Sequence, residues 1–512
     1  MTAYASRWIC ALLVVVGILI GPCASSVYAT DSPIALEARI KLEIAHENSP
    51  RMRIALTRFY SQRAWKLAWQ DPELARLART ALDTVQQDGL PAPKYLPLPG
   101  SNSPLEIDLL LTVRVLRYAE ELTDGATRPA EAADLPKPDS DIAAKLARAM
   151  DSPDDLRKFF ASLAPDHAAY RALKRAYAQY LRLAAQGRWP QLPSVARIRL
   201  SDQSPLAQLV RARLACEDPS LRQADAPLLK EAVKRFQAQA GLSPDGVVGP
   251  KTIAALNIEP SQRAAQIAAN MERWRWLPHR FPERYIEVNT ANATLRAVDH
   301  NVVVIDSRVI VGKASTPTPE FDTRALAITI NPPWEVPRSI IQKEILPHLR
   351  RQPNYLVRNH MVMSNGRVTQ MPGADNALGR VKIDILDPFA IYMHDTPAKT
   401  LFARDQRHLS HGCIRVQAIL PLASWLWTGS VEAGLPRIEA AISEGTTRRI
   451  DLKQAVPVYI VYRTAIMRPD GTIGFVPDIY HRDDELITAL FGSTSPAVPP
   501  NPLSAGGCRV DG

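Results

Sequence analysis

The fold turns on the stretch Arg284-Tyr-Ile-Glu-Val-Asn289, Leu295-Arg-Ala-Val-Asp299, Val302-Val-Val-Ile305 and Val309-Ile-Val-Gly312. Short runs rich in Val and Ile, with turn residues such as Asp299-His-Asn301 between them, read as strands. Upstream of Trp274-Arg-Trp-Leu-Pro278 the apolar period is helical, so a β-rich domain begins near 283. It continues through Ala325 to Ile330 and the strand Ala390 to Met393, then the segment around Cys413, with Pro457 to Arg463 as a late strand. Between them, Pro332-Pro-Trp-Glu-Val-Pro337 and a helical stretch Ile340 to Leu349 mark 332–373 as an insertion that caps the domain.

Working back toward the N-terminus, Leu74, Leu77, Ala78 and Leu82, then Leu109, Val113, Leu116, Ala119 and Leu122, recur at helical spacing. Gly89 and Pro91 close one helix, Asp124-Gly125 another, and 126–139 reads as a loop or extended arm. This is a helical platform with no visible chemistry; Asp166, His167 and Tyr170 read as a solvated helix face. A second unit follows. Leu229, Val233, Phe236 and Ala240 form one helix stopped by Gly241, Pro244-Asp-Gly246 makes a turn, and Gly249-Pro250 starts a helix through Ile253 and Leu256. The run from Ala232 to Asn257 resembles the type 1 peptidoglycan-binding family. The resemblance implies attachment to murein; a structural spacer is the alternative.

The fold class is therefore multidomain α+β. The division reads 1–29 signal peptide, 30–210 helical scaffold, 211–260 peptidoglycan-binding module, 261–282 connector and 283–468 β-rich domain. A C-terminal segment at 469–492 packs on the scaffold or catalytic domain, and 493–512 is a Pro/Ser/Gly-rich disordered tail.

Composition narrows the class. The chain has 512 residues, 46% hydrophobic and 22% charged, with no series of long apolar spans, which excludes pumps and channels. The 43 prolines exclude a coiled coil and suggest turns and connectors. A formal charge of +10 and a pI near 9.4 favour polyanions or acidic surfaces. Arg7 precedes the apolar run Trp8 to Ile20, and Val27-Tyr-Ala29 offers small residues for signal cleavage after Ala29; an uncleaved anchor is the alternative. Loss of Arg7 takes the charge from +10 to +9. Export to the periplasm leaves no nucleic acid to bind.

Cys10 and Cys23 leave with the signal, and Cys216, Cys413 and Cys508 remain, an odd number in an oxidising compartment. Cys216 and Cys508 read as inert buried thiols, with a bridge between them as the alternative. Cys413 differs, because it sits in Ser410-His-Gly-Cys-Ile-Arg-Val416. A thiol is mostly protonated at neutral pH and needs a nearby base or cation to become nucleophilic. Gly412 permits close backbone approach, and adjacent amides can face a developing oxyanion. His394, His408 and His411 could supply the base. His394 is favoured, because it ends an apolar strand whereas His411 shares a tight turn with the thiol. Its imidazolium is expected to lower the pKa of Cys413. Paired metal-ligand spacings are absent, so neither a metal nor a cofactor is expected.

The arrangement His394-Asp395-Thr396, followed by Ser410-His411-Gly412-Cys413-Ile414-Arg415, resembles the L,D-transpeptidase catalytic domain of the YkuD family. Asn270-Met-Glu-Arg-Trp-Arg-Trp-Leu-Pro278, Thr316-Pro-Thr-Pro-Glu-Phe321, Asn331-Pro-Pro-Trp-Glu-Val-Pro337 and Asn376-Ala-Leu-Gly379 are similar to the long YcbB-type enzymes. The resemblance implies that Cys413 attacks the third residue of a tetrapeptide stem, releases D-alanine and passes the acyl group to a diaminopimelate amine. His394 would take the thiol proton while the Asp395 carbonyl holds its ring. The amides of His411, Gly412 and Cys413 would bind the oxyanion, with Ser410 in support. Arg415 would hold a stem carboxylate or tie the loop, and Tyr392 and Trp334 would wall the pocket. Carbapenem acylation, peptidoglycan stem peptides as partners and other cell-wall synthesis proteins follow from the same resemblance. Hydrolysis of the thioester, or murein binding without catalysis, are the alternatives.

Overall fold

The structure is a computed structural model that describes residues 32–96, 103–128, 141–201, 204–386 and 389–492. The expected signal peptide, most of the 126–139 arm and the expected disordered tail lie outside the described residues.

Seven helices open the described chain: α1 (Pro33–Ala45), α2 (Pro50–Gln62), α3 (Pro72–Asp83), α4 (Pro104–Asp124), α5 (Ile142–Ala149), α6 (Pro153–Ser162) and α7 (Ala168–Ala185). Many prolines turn out to begin helices. Ser32, Ser49, Asp71, Ser103 and Ser152 each accept a first-turn backbone N–H, and each is followed by proline at the first helical position, whose missing N–H costs nothing there. Helices α1 to α6 share one apolar core centred on Phe59, Leu82, Leu116, Leu146 and Leu156. The peptidoglycan-binding region contains α8 (Pro205–Ala215), α9 (Ala226–Gln239) and α10 (Pro250–Leu256), packed around Val210, Leu229, Val233, Ile253 and Leu256. Helix α8 spans residue 210, where the sequence reading placed a boundary, and its core also takes in Leu192 and Ile198.

The expected connector is α11 (Pro260–Arg275), a helix buried along nearly its whole length. With α7 it forms the seam between the helical half and the β domain, and the C-terminal α17 (Arg482–Phe491) packs on it. Its charged residues are buried in pairs: Arg275 Nη1 donates to Glu272 Oε2 at 2.8 Å, and Arg273 pairs with Asp483 of α17. The solvated face expected around 166–170 is only partly so. Asp166 is exposed, but His167 stacks between Trp274 and Phe281 with ring centroids 4.9 and 4.8 Å away, and Tyr170 is buried and accepts from Arg275.

The β domain contains β1 (Arg284–Asn289), β2 (Thr294–Asp299), β3 (Val302–Gly312), β4 (Phe321–Ile330), β5 (Trp334–Glu335), β6 (Met361–Ser364), β7 (Arg367–Gln370), β8 (Val381–Ile385), β9 (Met393–His394), β10 (His408–Ser410), β11 (Ile414–Val416), β12 (Arg448–Val461), β13 (Ala465–Met467) and β14 (Ile473–Phe475). The main sheet runs β10-β3-β11-β9-β8-β4-β12-β1-β2, and β2 also pairs with β3, so the sheet closes on itself. Val302–Ile305 and Val309–Gly312 are thus one strand, not two. His300 and Asn301 both take positive φ (49° and 63°), as a two-residue hairpin turn with the right twist requires. The expected strand Ala390–Met393 is also revised: only Met393–His394 is strand, and Ala390 is left-handed at φ 56°. Helices α15 (Ile419–Thr428) and α16 (Val431–Ser443) cover the sheet through Ile419, Leu422, Trp425 and Ile438. The 332–373 insertion has its own small sheet, β5-β7-β6, and its own core of Val336, Ile341, Ile345 and Val368. Its helical part comprises α12 (Arg338–Ile340), a π-helical turn at Ile341–Ile345, α13 (Leu346–Arg351) and α14 (Tyr355–Arg358).

Candidate active site

Strand β9 is only two residues long, yet both its edges are paired: Ile383↔Met393 and Lys382↔His394 on one side, Ile414↔Met393 and Arg415↔His394 on the other. His394 therefore lies in the ladder beside the strand that begins one residue after Cys413, and Ile414 N–H donates to Tyr392 O at 3.1 Å. Double pairing fixes this histidine more firmly than the single strand end expected from sequence.

His394 is buried, and its Nδ1 lies 2.5 Å from the Asp395 carbonyl oxygen. A carbonyl only accepts, so Nδ1 carries the proton and Nε2 is the basic nitrogen. Burial, reinforced by the nearby Arg415 charge, lowers the pKa of His394 to about 3, against the opposing pull of the Asp395 and Leu378 carbonyls. The imidazole is thus neutral at physiological pH. This revises the expected resting imidazolium; the cation beside the thiol is Arg415, whose charge acts on Cys413 as well. Arg415 is lowered by its own burial, and its Nε is buried without a hydrogen-bond partner among the described residues.

Cys413 is a half-buried thiol outside any disulfide, and its Sγ lies 3.9 Å from the Ala390 carbonyl oxygen. Tyr392 hydrogen-bonds with Cys413 and with Trp334 of the capping insertion, and its ring meets His394 edge-to-face at 5.5 Å. Burial and the neighbouring thiol push the Tyr392 hydroxyl well above the usual phenol range. Trp334 and Tyr392 therefore meet at the thiol. Cys216, by contrast, is disulfide-bonded, which revises its reading as an inert thiol; its partner lies outside the described residues.

The loop carrying Cys413 is held from below. Ser410 Oγ accepts from Gly412 N–H at 3.1 Å and donates to the Cys413 carbonyl at 2.6 Å. Gly412 N–H is thereby engaged, which removes it from the expected set of oxyanion donors. Gly412 has φ 120°, a conformation open to glycine and strained for other residues. His411 turns away to the insertion, where its Nε2 lies 3.2 Å from Glu344 Oε1 in the π-helical turn. His408, the third candidate base, points to the Thr290 carbonyl at 2.9 Å.

Several supporting residues were not singled out from sequence. The Asp395 carboxylate does not face the imidazole: it accepts from Arg380 N–H at 2.9 Å and pairs with Lys399. Gly379, at φ 64°, makes room for it, since a Cβ there would lie 2.4 Å from Asp395 Oδ2. Thr318 lies beneath the Cys413 loop. Both Gly379 and Thr318 fall in stretches quoted above, Asn376–Gly379 and Thr316–Phe321, but neither type nor spacing announces the contact. An open cleft of about 730 Å³ lined by Arg308, Lys399, Gln417, Ile419 and Glu439 reaches the site only through Lys399. Among the described residues no three His, Cys, Asp or Glu side chains gather to hold a metal ion.

Residues 283–451 match the L,D-transpeptidase catalytic domain, 54–176 a scaffold domain and 212–256 the family described as "Putative peptidoglycan binding domain". The chain thus carries a YkuD-type L,D-transpeptidase catalytic domain joined to a peptidoglycan-binding domain. A curated relative, the "Putative L,D-transpeptidase" of Haemophilus influenzae, is 31% identical over 247 residues, covering 43% of this chain and 48% of its own. The chain therefore spans about half the length of that relative. Among solved structures, the Ldtfm–avibactam carbamoyl enzyme is 15% identical over 36% of this chain and 51% of its own, with a TM-score of 0.20. The L,D-transpeptidase (residues 123–326) of Xylanimonas cellulosilytica is 18% identical over 52% of this chain and 98% of its own, with a TM-score of 0.19.

Proposed function

We infer that this protein is a YcbB-type peptidoglycan L,D-transpeptidase that cross-links third-position residues of stem peptides through a thioester on Cys413. One observation carries the reading: the β9–β11 pairing brings the Cys413 segment alongside the buried, neutral His394 and Arg415, whose Nε has no partner among the described residues, inside a domain matched to L,D-transpeptidases. A neutral imidazole has a lone pair to accept the thiol proton, and a neighbouring guanidinium favours the thiolate that results.

His394 Nε2 takes the proton of Cys413, and the sulfur attacks the carbonyl carbon of the third residue of a tetrapeptide stem. The carbonyl electron pair moves onto oxygen, then returns to expel the D-alanine nitrogen, which leaves as an amine with the proton from His394. The amine of a second stem attacks the thioester, gives its proton to the imidazole and releases the sulfur. Trp334 and Tyr392 line the approach, and Arg415 offers its charge to a stem carboxylate or to the thiolate. The peptidoglycan-binding domain supports murein as the partner, and the signal-like N-terminus supports a periplasmic site of action, where other cell-wall synthesis proteins would be encountered.

The test is to incubate purified protein with disaccharide-tetrapeptide and weigh the products. Cross-linked dimer with release of D-alanine is expected. Tripeptide without dimer would assign a hydrolase instead, and unchanged substrate would leave murein binding alone.

A further inference from the structure

A peptide unit carries its C=O and N–H on opposite sides, so fixing one aims the other. The unit joining Gly412 to Cys413 is fixed through its carbonyl, which accepts from Thr318 Oγ1 at 2.8 Å. Thr318 is fully buried, its hydroxyl oxygen accepts in turn from Gly312 N–H at 3.0 Å, and Tyr480 touches Thr318 as well. The backbone at Gly312 is closely packed, since a Cβ there would lie 2.2 Å from Thr316 O and 2.6 Å from Thr318 N. Its carbonyl accepts at 2.5 Å from the hydroxyl of Tyr480, whose ring stacks on Tyr462 at 5.2 Å. A chain of hydrogen bonds thus runs from the C-terminal segment through Gly312 and Thr318 to the peptide that precedes the thiol.

The need for such a chain lies at Gly412. Nothing lies within 4 Å of where its Cβ would be, and glycine passes between backbone states at little cost. Contacts to a side chain cannot hold this peptide, so hydrogen bonds must. We propose that Thr318, backed by Tyr480, is a positioning residue that holds the Gly412–Cys413 peptide with its Cys413 N–H turned away from the buried Thr318, toward the oxygen of the attacked carbonyl. This rests on the reading of Cys413 as the nucleophile. When sulfur bonds to the carbonyl carbon, the displaced π pair collects on that oxygen and the oriented N–H stabilises it until the pair returns and the leaving group departs.

Two reactions of the same thiol separate this role from a merely structural one. Alkylation by iodoacetamide displaces iodide at a saturated carbon and forms no oxyanion, whereas acylation by p-nitrophenyl acetate or by the tetrapeptide stem does. In Thr318→Val, kcat for acylation should fall about tenfold or more, in keeping with the roughly 10²–10³ lost with a whole oxyanion donor. KM and the rate of Cys413 alkylation should stay within about twofold, and Thr318→Ser should restore acylation. Tyr480→Phe, one link further out, should show the same split with a smaller fall and covers the case that Thr318→Val does not fold. Equal losses in both reactions, failure of rescue by serine, or wild-type acylation in both variants would overturn the proposal. A wild type that alkylates at Cys413 and is acylated by the ester, yet releases no D-alanine, would sink the stem-peptide substrate while the ester still tests Thr318.

Discussion

The seam around α11 and the pocket around Cys413 both bury charge, and they do so in opposite ways. In the seam three buried arginines meet carboxylates, Arg273 with Asp483, Arg275 with Glu272 and Arg482 with Glu320 at 3.0 Å, while Arg263 lies over the Phe475 ring and donates to Gln266. Burial pushes Glu272, Glu320 and Asp483 upward while their arginines pull them back, so charge is compensated inside the protein. In the pocket no carboxylate among the described residues pairs with Arg415; its neighbours are a neutral imidazole and a thiol. Even Asp395, next to His394 in sequence, gives the ring its carbonyl and sends its carboxylate to Lys399. Compensated charge lies in the seam; under the proposed function, the Arg415 cation would meet the thiolate or a carboxylate of the substrate.

The contrast can be broken at several points. Replacing His394 by Gln should lower transpeptidation by about 10²–10⁴-fold, the usual worth of a general base, with the fold intact by circular dichroism. Arg273→Met should do the reverse: stability to urea falls by about 3–5 kcal/mol, because Asp483 is left buried without its counter-charge, while Cys413 in the folded fraction alkylates at the wild-type rate. The double variant Arg273→Met/Asp483→Leu should recover part of that loss. Acid provides a subtler comparison. His394 titrates near 3 when folded and near its ordinary value of about 6.5 when unfolded, so the unfolded chain binds the extra proton between those values. The contribution of His394 to stability is complete above about pH 6.5 and is lost as pH falls toward 3; urea midpoints of His394→Gln should depend less steeply on pH across that window. The smallest effect belongs to Glu344→Gln. Its pair with His411 is 49% and 43% exposed, so stability should change by less than about 1 kcal/mol and alkylation not at all.

The helical platform and the β-rich domain were legible because each rests on local pattern, period and turn chemistry, and Cys413 and His394 were singled out by the contiguous Ser410-His-Gly-Cys413 run and a strand end. What stayed hidden depends on sheet order. Thr318 meets Gly412 across 94 residues and Tyr480 meets Gly312 across 168, distances closed only by the pairing of β3 with β10 and β11 and the return of the C-terminal segment. The stretch 261–282 read as a connector, yet Glu272, Arg273 and Arg275 of α11 are buried. Their partners Asp483, Thr127 and Tyr170 come from three other parts of the chain. Likewise the proximity of Arg415 to His394 follows from the β9–β11 register, and with it the neutral imidazole that replaces the expected ion pair.

The central claim is that Cys413 carries the acyl group. The most direct test mixes wild-type protein with disaccharide-tetrapeptide, quenches in acid before turnover completes, and maps the digested protein by mass. The account predicts that the peptide containing Cys413 gains the mass of the substrate less D-alanine, and that Cys413→Ala gains nothing. Cross-linked product formed by the Cys413→Ala protein, or the added mass on any other residue, would contradict it.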